Sequence, residues 1–108
     1  MGKQSDLVQG TLEMLILKTL AMETMHGYGI ALRIEQISGG VFQVNPGSLL
    51  PALSRLYRQG LIECDWRASE NNRRAKYYAI NSRGLQKLRS EKKSWELQIK
   101  AIARILEA

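Results

Sequence analysis

The sequence is poor in reactive side chains, with one cysteine and one histidine among 108 residues. A single thiol, Cys64, excludes an internal disulfide framework and suits a reducing compartment. One histidine and one cysteine leave little for acid–base or nucleophilic catalysis. No Cys, Asp or Glu lies near His26 at metal-ligand spacing, and no glycine-rich phosphate loop is present. No enzyme activity, metal or cofactor is expected. No apolar run approaches the roughly 20 residues of a membrane span. The polar start Met1–Asp6 lacks the apolar stretch of a signal peptide. The cytoplasm is the expected location. Repeats, low-complexity tracts and flexible linkers are also missing, so one structural domain is expected.

What is present suits a small globular chain. The hydrophobic share of 44% is ordinary, and a disordered chain would carry fewer apolar residues and more net charge. The net charge of +6 favours a polyanionic partner. It is unevenly spread: +1 over residues 1–60, +1 over 61–80 and +4 over 81–108. Charge alone therefore does not locate a binding surface.

Apolar spacing predicts a helix over 7–24, with Leu12, Leu15, Ile16, Thr19 and Leu20 on one stripe. Met14, Leu17 and Ala21 form a second stripe, and a second subunit is a candidate cover for it. Gly27 and Gly29 interrupt the helical spacing, which resumes over 28–38 with Ile30, Ile34 and Ile37. His26 is placed to cap or pack at the start of that second helix. Val41–Val44 is a short β-prone run. Asn45-Pro46 then reads as an N-cap and first helical residue, opening a third helix over 46–59 that ends at Gly60. Residues 61–67 alternate, with Ile62, Cys64 and Trp66 on the inner face. A polar tip over 68–73 leads to a second strand over 76–80. In that strand Tyr78 is in phase with Ile80 and expected inward, leaving Tyr77 exposed. Asn81 or Ser82 caps a last helix over 83–107. Leu85, Leu88, Trp95, Ile99, Ile102 and Leu106 follow there at alternating spacings of three and four, with Lys92 at the missed slot. That is a short heptad seam.

Three helices followed by a hairpin is the order of a winged helix-turn-helix, an α+β fold that is mainly α with a small β-hairpin. In such a motif the second helix lies in the major groove and its first residues meet base edges. Here that helix opens with Asn45, Gly47, Ser48 and Leu50, with Arg55 further along. Its free N–H groups suit phosphate oxygens. The wing tip brings Asn72, Arg73, Arg74 and Lys76, with Tyr77 beside them, where cations can meet phosphates or a narrow minor groove. The rival expectation is a winged-helix protein-interaction module without specific DNA binding.

Four motifs in order resemble the PadR family of bacterial transcription regulators. They are Leu7-Val8-Gln9-Gly10-Thr11-Leu12, His26-Gly27-Tyr28-Gly29-Ile30, Pro46-Gly47-Ser48-Leu49-Leu50-Pro51-Ala52-Leu53 and Asn72-Arg73-Arg74-Ala75-Lys76-Tyr77-Tyr78. The single C-terminal helix resembles the compact branch of the family. The resemblance implies a dimeric repressor that holds double-stranded operator DNA with the third helix and wing. It implies dimerisation through the last helix with help from the first, and release by a small molecule or other signal. The expected division is a DNA-binding unit over 1–81 and a dimerisation helix over 82–108. The expected dimer contacts are Leu12, Leu88, Trp95, Ile99, Ile102 and Leu106. Many family members carry tyrosine at the position of Leu50, where the hydroxyl suits a phosphate. Leu50 donates no hydrogen bond. It can touch a thymine methyl instead, or Tyr28 or Tyr57 can carry more of the backbone contact.

Trp95 has two readings that coexist. One is packing in the dimer core. The other is a wall for a small aromatic or hydrophobic effector, because some regulators resembling this family bind planar compounds between subunits against a tryptophan of this helix. Trp66 and Cys64 are expected to be core, the thiol as an inert small hydrophobe.

Overall fold

The computed structural model describes residues 10–108. The predicted first helix therefore begins, in part, outside the described residues, as do Leu7-Val8-Gln9 and the polar start. From Gly10 on, the order is α1 (Thr11–Met22), β1 (Met25–His26), α2 (Gly27–Ile37), α3 (Pro46–Arg58), β2 (Ile62–Ala68), β3 (Arg74–Ile80) and α4 (Ser82–Glu107).

Asn and His side chains cap three of the helices. His26 Nδ1 accepts the Gly29 N–H at 3.0 Å and so caps α2. Asn45 Oδ1 accepts the Ser48 N–H at 3.0 Å and caps α3, with Pro46 as its first residue. Asn81 Oδ1 accepts the Gly84 N–H at 2.9 Å and caps α4. Each bond satisfies an amide that the first helical turn cannot. The glycines of His26-Gly27-Tyr28-Gly29 do not break the chain between helices as their composition suggested. The cap starts α2 at Gly27, and both glycines lie inside it. Pro51 is exposed within α3, which runs through it without a break.

The sheet is antiparallel, ordered β1-β3-β2. Its hairpin runs from Ile62↔Ile80 to Ala68↔Arg74. The other edge of β3 takes Met25 opposite Tyr78 and His26 opposite Tyr77. The sequence placed a short strand at Val41–Val44 instead. That segment forms no strand, because the edge is already taken by β1. The chain reaches it through Gly39 and Gly40, whose φ values of 64° and 84° suit glycine. Phe42 and Val44 instead pack against the core from the α2–α3 loop.

The core joins the inner faces of α1, α2 and α3 to the base of the hairpin. Ile16, Leu17, Ile30, Leu53 and Leu56 are its most deeply buried side chains. Each contributes about 1.5–3 kcal/mol by leaving water. Leu12 and Leu88, assigned to the dimer seam from sequence, pack half-buried against this core. The alternation read in β2 is right in phase but not in depth. Ile62 is buried, Cys64 is half-buried, and Trp66 is 56% exposed. Trp66 is therefore not core: β2 runs on past the apolar body, and its outer residues have nothing to pack under. Tyr78 reaches the core as expected. Tyr77 is half-buried rather than exposed, with His26 edge-on at 5.2 Å and Arg67 over its ring at 5.0 Å.

The last helix leaves the body. Gly84 is its only buried residue, and from Lys92 to Ala108 every residue is exposed. At 1.5 Å per residue its 26 residues span about 39 Å, most of the longest molecular dimension of 55 Å.

Candidate nucleic-acid interface

The strand pairing of β1 with β3 brings the start of α2 against the base of the wing. This contact creates a groove lined by His26, Gly27 and Tyr28, by Leu50 of α3, and by Ser69–Asn71 and Arg73–Lys76 of the wing. Tyr78 forms part of its inner end. Tyr28 is 74% exposed and Leu50 is 56% exposed. Two large side chains are thus presented to solvent on the same side as three wing cations.

The wing tip is shaped by backbone bonds. Ser69 N–H donates to the Arg73 carbonyl at 2.7 Å, and Asn72 N–H donates to the Ser69 carbonyl at 2.8 Å. Asn72 takes φ of 61°, a left-handed conformation that asparagine tolerates better than most residues. Arg73, Arg74 and Lys76 are exposed. The ion pairs among the described residues are Arg33–Glu23, Arg55–Glu13, Arg67–Asp65 and Lys87–Glu91, so none engages these three cations. Glu70 lines the same groove and lowers its positive charge in part.

Of the residues singled out from sequence, Tyr28, Leu50, Arg73, Arg74 and Lys76 converge here. The others take different places. Asn45 caps α3, Gly47 is exposed beside it, and the Ser48 amide is already bonded to Asn45. Arg55 binds Glu13 on α1, its Nε 2.6 Å from Oε2. Asn72 shapes the tip, and Tyr77 lies on the opposite face of β3 from Arg74, Lys76 and Tyr78. The sequence places His26 at the start of the second helix, to cap or pack there, and in the structure it also lines the groove. Its placement follows from β1, a strand too short for a periodic signal.

Among the described residues no group of three His, Cys, Asp or Glu side chains is placed to hold a metal ion, and no helix is long and apolar enough to cross a membrane.

The family model described as the transcriptional regulator PadR-like family matches residues 16–90. The chain belongs to that family. The match runs from α1 through the wing into the first turns of α4, so it includes every element lining the groove. Solved structures agree along nearly the whole chain. A transcriptional regulator from Clostridium thermocellum is 27% identical with a TM-score of 0.85, over 93% of this chain and 97% of that one. A PadR-like transcriptional regulator from Bacillus cereus is 30% identical with a TM-score of 0.81, over 96% and 99%. An uncharacterized protein of Lysinibacillus sphaericus is 28% identical over 85% of this chain and 84% of its own length. The winged-helix architecture of this PadR-like regulator is thus shared with relatives of similar length.

Proposed function

We propose that the protein is a sequence-specific repressor that binds duplex operator DNA as a homodimer and is released by a small aromatic or hydrophobic effector. The observation that carries the DNA-binding part is the convergence of Tyr28 and Leu50 with Arg73, Arg74 and Lys76 around one open groove. The exposed side of α3 enters a major groove beside Leu50. The wing cations meet the adjoining phosphates. The Tyr28 hydroxyl supplies a backbone contact that Leu50 cannot.

A second copy of the chain covers the outer half of α4. Trp95, Ile99, Ile102 and Leu106 repeat at heptad spacing, and all are exposed in the single chain. Paired α4 helices set the separation of two α3 helices, which must match about 34 Å, one turn of DNA. An effector held against Trp95 between subunits changes that separation. It weakens DNA binding only to the extent that it prefers the non-binding spacing.

The test is fluorescence anisotropy with the DNA upstream of the protein's own gene and with a scrambled duplex, across a salt series. Binding at least a hundredfold tighter to the upstream duplex at moderate salt is expected. Equal, weak binding to both duplexes, seen only at low salt, would overturn the reading and favour a protein-interaction module. For the effector, Trp95→Ala is expected to blunt release by an inducing compound while dimer and DNA binding persist. Loss of the dimer in that variant would instead make Trp95 a packing residue.

A further inference from the structure

Trp66 is an unusual residue to leave in water. Its exposure of 56% is on the face of β2 that also carries Ile62 and Cys64, beyond the point where the core ends. Its direct partner across the hairpin is Lys76, and Arg74 is the next residue of β3 on the same face. Both cations lie over the indole. The Arg74 guanidinium carbon is 5.4 Å from the ring centroid and Lys76 Nζ is 5.8 Å from it. Both distances fall within the range in which an aromatic face attracts a cation.

The other face of the hairpin is arranged differently. Arg67 also rests on an aromatic ring, that of Tyr77, but its Nε lies 3.3 Å from Asp65 Oδ1. A carboxylate there neutralises the cation. On the Trp66 face the ring attracts two cations and cancels neither. Both of those cations line the groove with Tyr28 and Leu50.

We propose that Trp66 is a positioning residue for DNA binding: its indole holds Arg74 and Lys76 side by side, extended toward the groove, before DNA arrives. This rests on the reading of the groove as the DNA-binding surface. Long cationic side chains lose rotamer freedom when they settle on a phosphate. A ring that has already restricted them reduces that loss without competing for their charge. Trp66 itself need not touch DNA. Its effect passes through two residues that do.

The experiment compares Trp66→Leu with Trp66→Phe, using the full-length chain and anisotropy with the upstream duplex. Leucine keeps apolar bulk but has no π face, whereas phenylalanine keeps a weaker one. Circular dichroism melts of each variant establish that the fold is intact. The expected result is binding about fivefold weaker for Trp66→Leu, with most of the loss restored in Trp66→Phe. The same leucine substitution is then made in an Arg74→Ala/Lys76→Ala background, where it is expected to have no further effect. Trp66→Leu binding like the parent, or losing the same factor in the background without the two cations, would overturn the proposal. If the Arg74→Ala/Lys76→Ala protein itself binds the duplex as tightly as the parent, the assignment of the groove fails, and the role of Trp66 fails with it. If that protein binds weakly while Trp66→Leu does not, only the role of Trp66 fails. Loss of the cooperative melt in both Trp66 variants would make the residue structural and also overturn the proposal.

Discussion

Arg55 on α3 is fastened to Glu13 on α1, with Nε donating to Oε2 at 2.6 Å. The glutamate is the less exposed partner, at 26% against 49% for the arginine. The pair joins the helix proposed to enter the major groove to the first helix. The sequence reading gives Arg55 to DNA, whereas in the structure its Nε is engaged by Glu13 at the surface. Removing either partner is expected to lower stability by about 0.5–1 kcal/mol. In thermal melts, Glu13→Gln, Arg55→Ala and the double variant should show a coupling of that size. Arg55→Ala should change the salt dependence of DNA binding less than Arg73→Ala does. An equal change would mean that Arg55 leaves Glu13 for a phosphate.

The three wing cations are expected to act as phosphate contacts. Each neutralised phosphate contributes about 0.9 to the slope of log affinity against log salt. Arg73→Ala and Arg74→Ala should each reduce the slope by about one. Both should weaken operator and scrambled DNA by similar factors. A variant that instead relaxes preference at one base pair would identify base readout from the wing.

The elements were legible in sequence where one residue sufficed to mark a boundary. Asn45-Pro46 and Asn81 gave two helix starts within a residue, because a side-chain cap is a local event. The hairpin was legible from alternation, though its inner phase was extended too far. Alternation reports which face a residue shares, not where the body beneath it stops, and so Trp66 was wrongly assigned to the core. The pairing of Met25–His26 with Tyr77 and Tyr78 was not legible. Two residues carry no period, and the partner strand lies about 50 residues downstream. The groove depends on that pairing, which is why the sequence placed His26 at the start of a helix but not in the groove. The Arg55–Glu13 contact spans 42 positions and left no pattern either.

Gly84 is expected to be intolerant of any side chain. A Cβ there would overlap the Leu61 carbonyl oxygen and lie 2.6 Å from Ile80 Cγ1. The first of these is backbone and cannot swing aside. α4 therefore crosses the base of the hairpin at a distance only glycine allows. Nearby, Asn81 Nδ2 donates to the Gly60 carbonyl at 2.9 Å and fixes the same junction. Gly84→Ala should destabilise by about 3 kcal/mol despite alanine's better helix propensity. Chemical denaturation with an unchanged slope and a lowered midpoint would show this. A variant as stable as the parent would mean that α4 can slide on the hairpin.

Stability should also fall in alkali through Tyr78. Burial, and secondarily the charge of Cys64, push its phenol above the ordinary value of 10.0. The folded state thus holds this proton more firmly than the unfolded state. The contribution is fully present below pH 10 and is lost as pH rises from there through the folded value. Tyr78→Phe should flatten the decline in melting temperature across that range. If the decline is unchanged, it arises from other groups.

Ile99 and Ile102 test how the subunits join. Neither is buried within its own chain, so an aspartate at either place has no core contact to disturb. Exposed apolar side chains repeating along one stripe are otherwise an aggregation liability. Ile99→Asp and Ile102→Asp are expected to yield folded monomers by sedimentation, with melts close to those of the parent at low concentration. Separating the subunits makes binding at the second half-site bimolecular. Loss of effective concentration alone should weaken operator binding by about a hundredfold or more. A variant that remains dimeric would move the interface away from α4, and the half-site spacing would then have to be set elsewhere. A variant that becomes monomeric yet keeps its operator affinity would show that one α3 helix and one wing suffice. The groove around Leu50 and Arg73 would then carry all of the recognition.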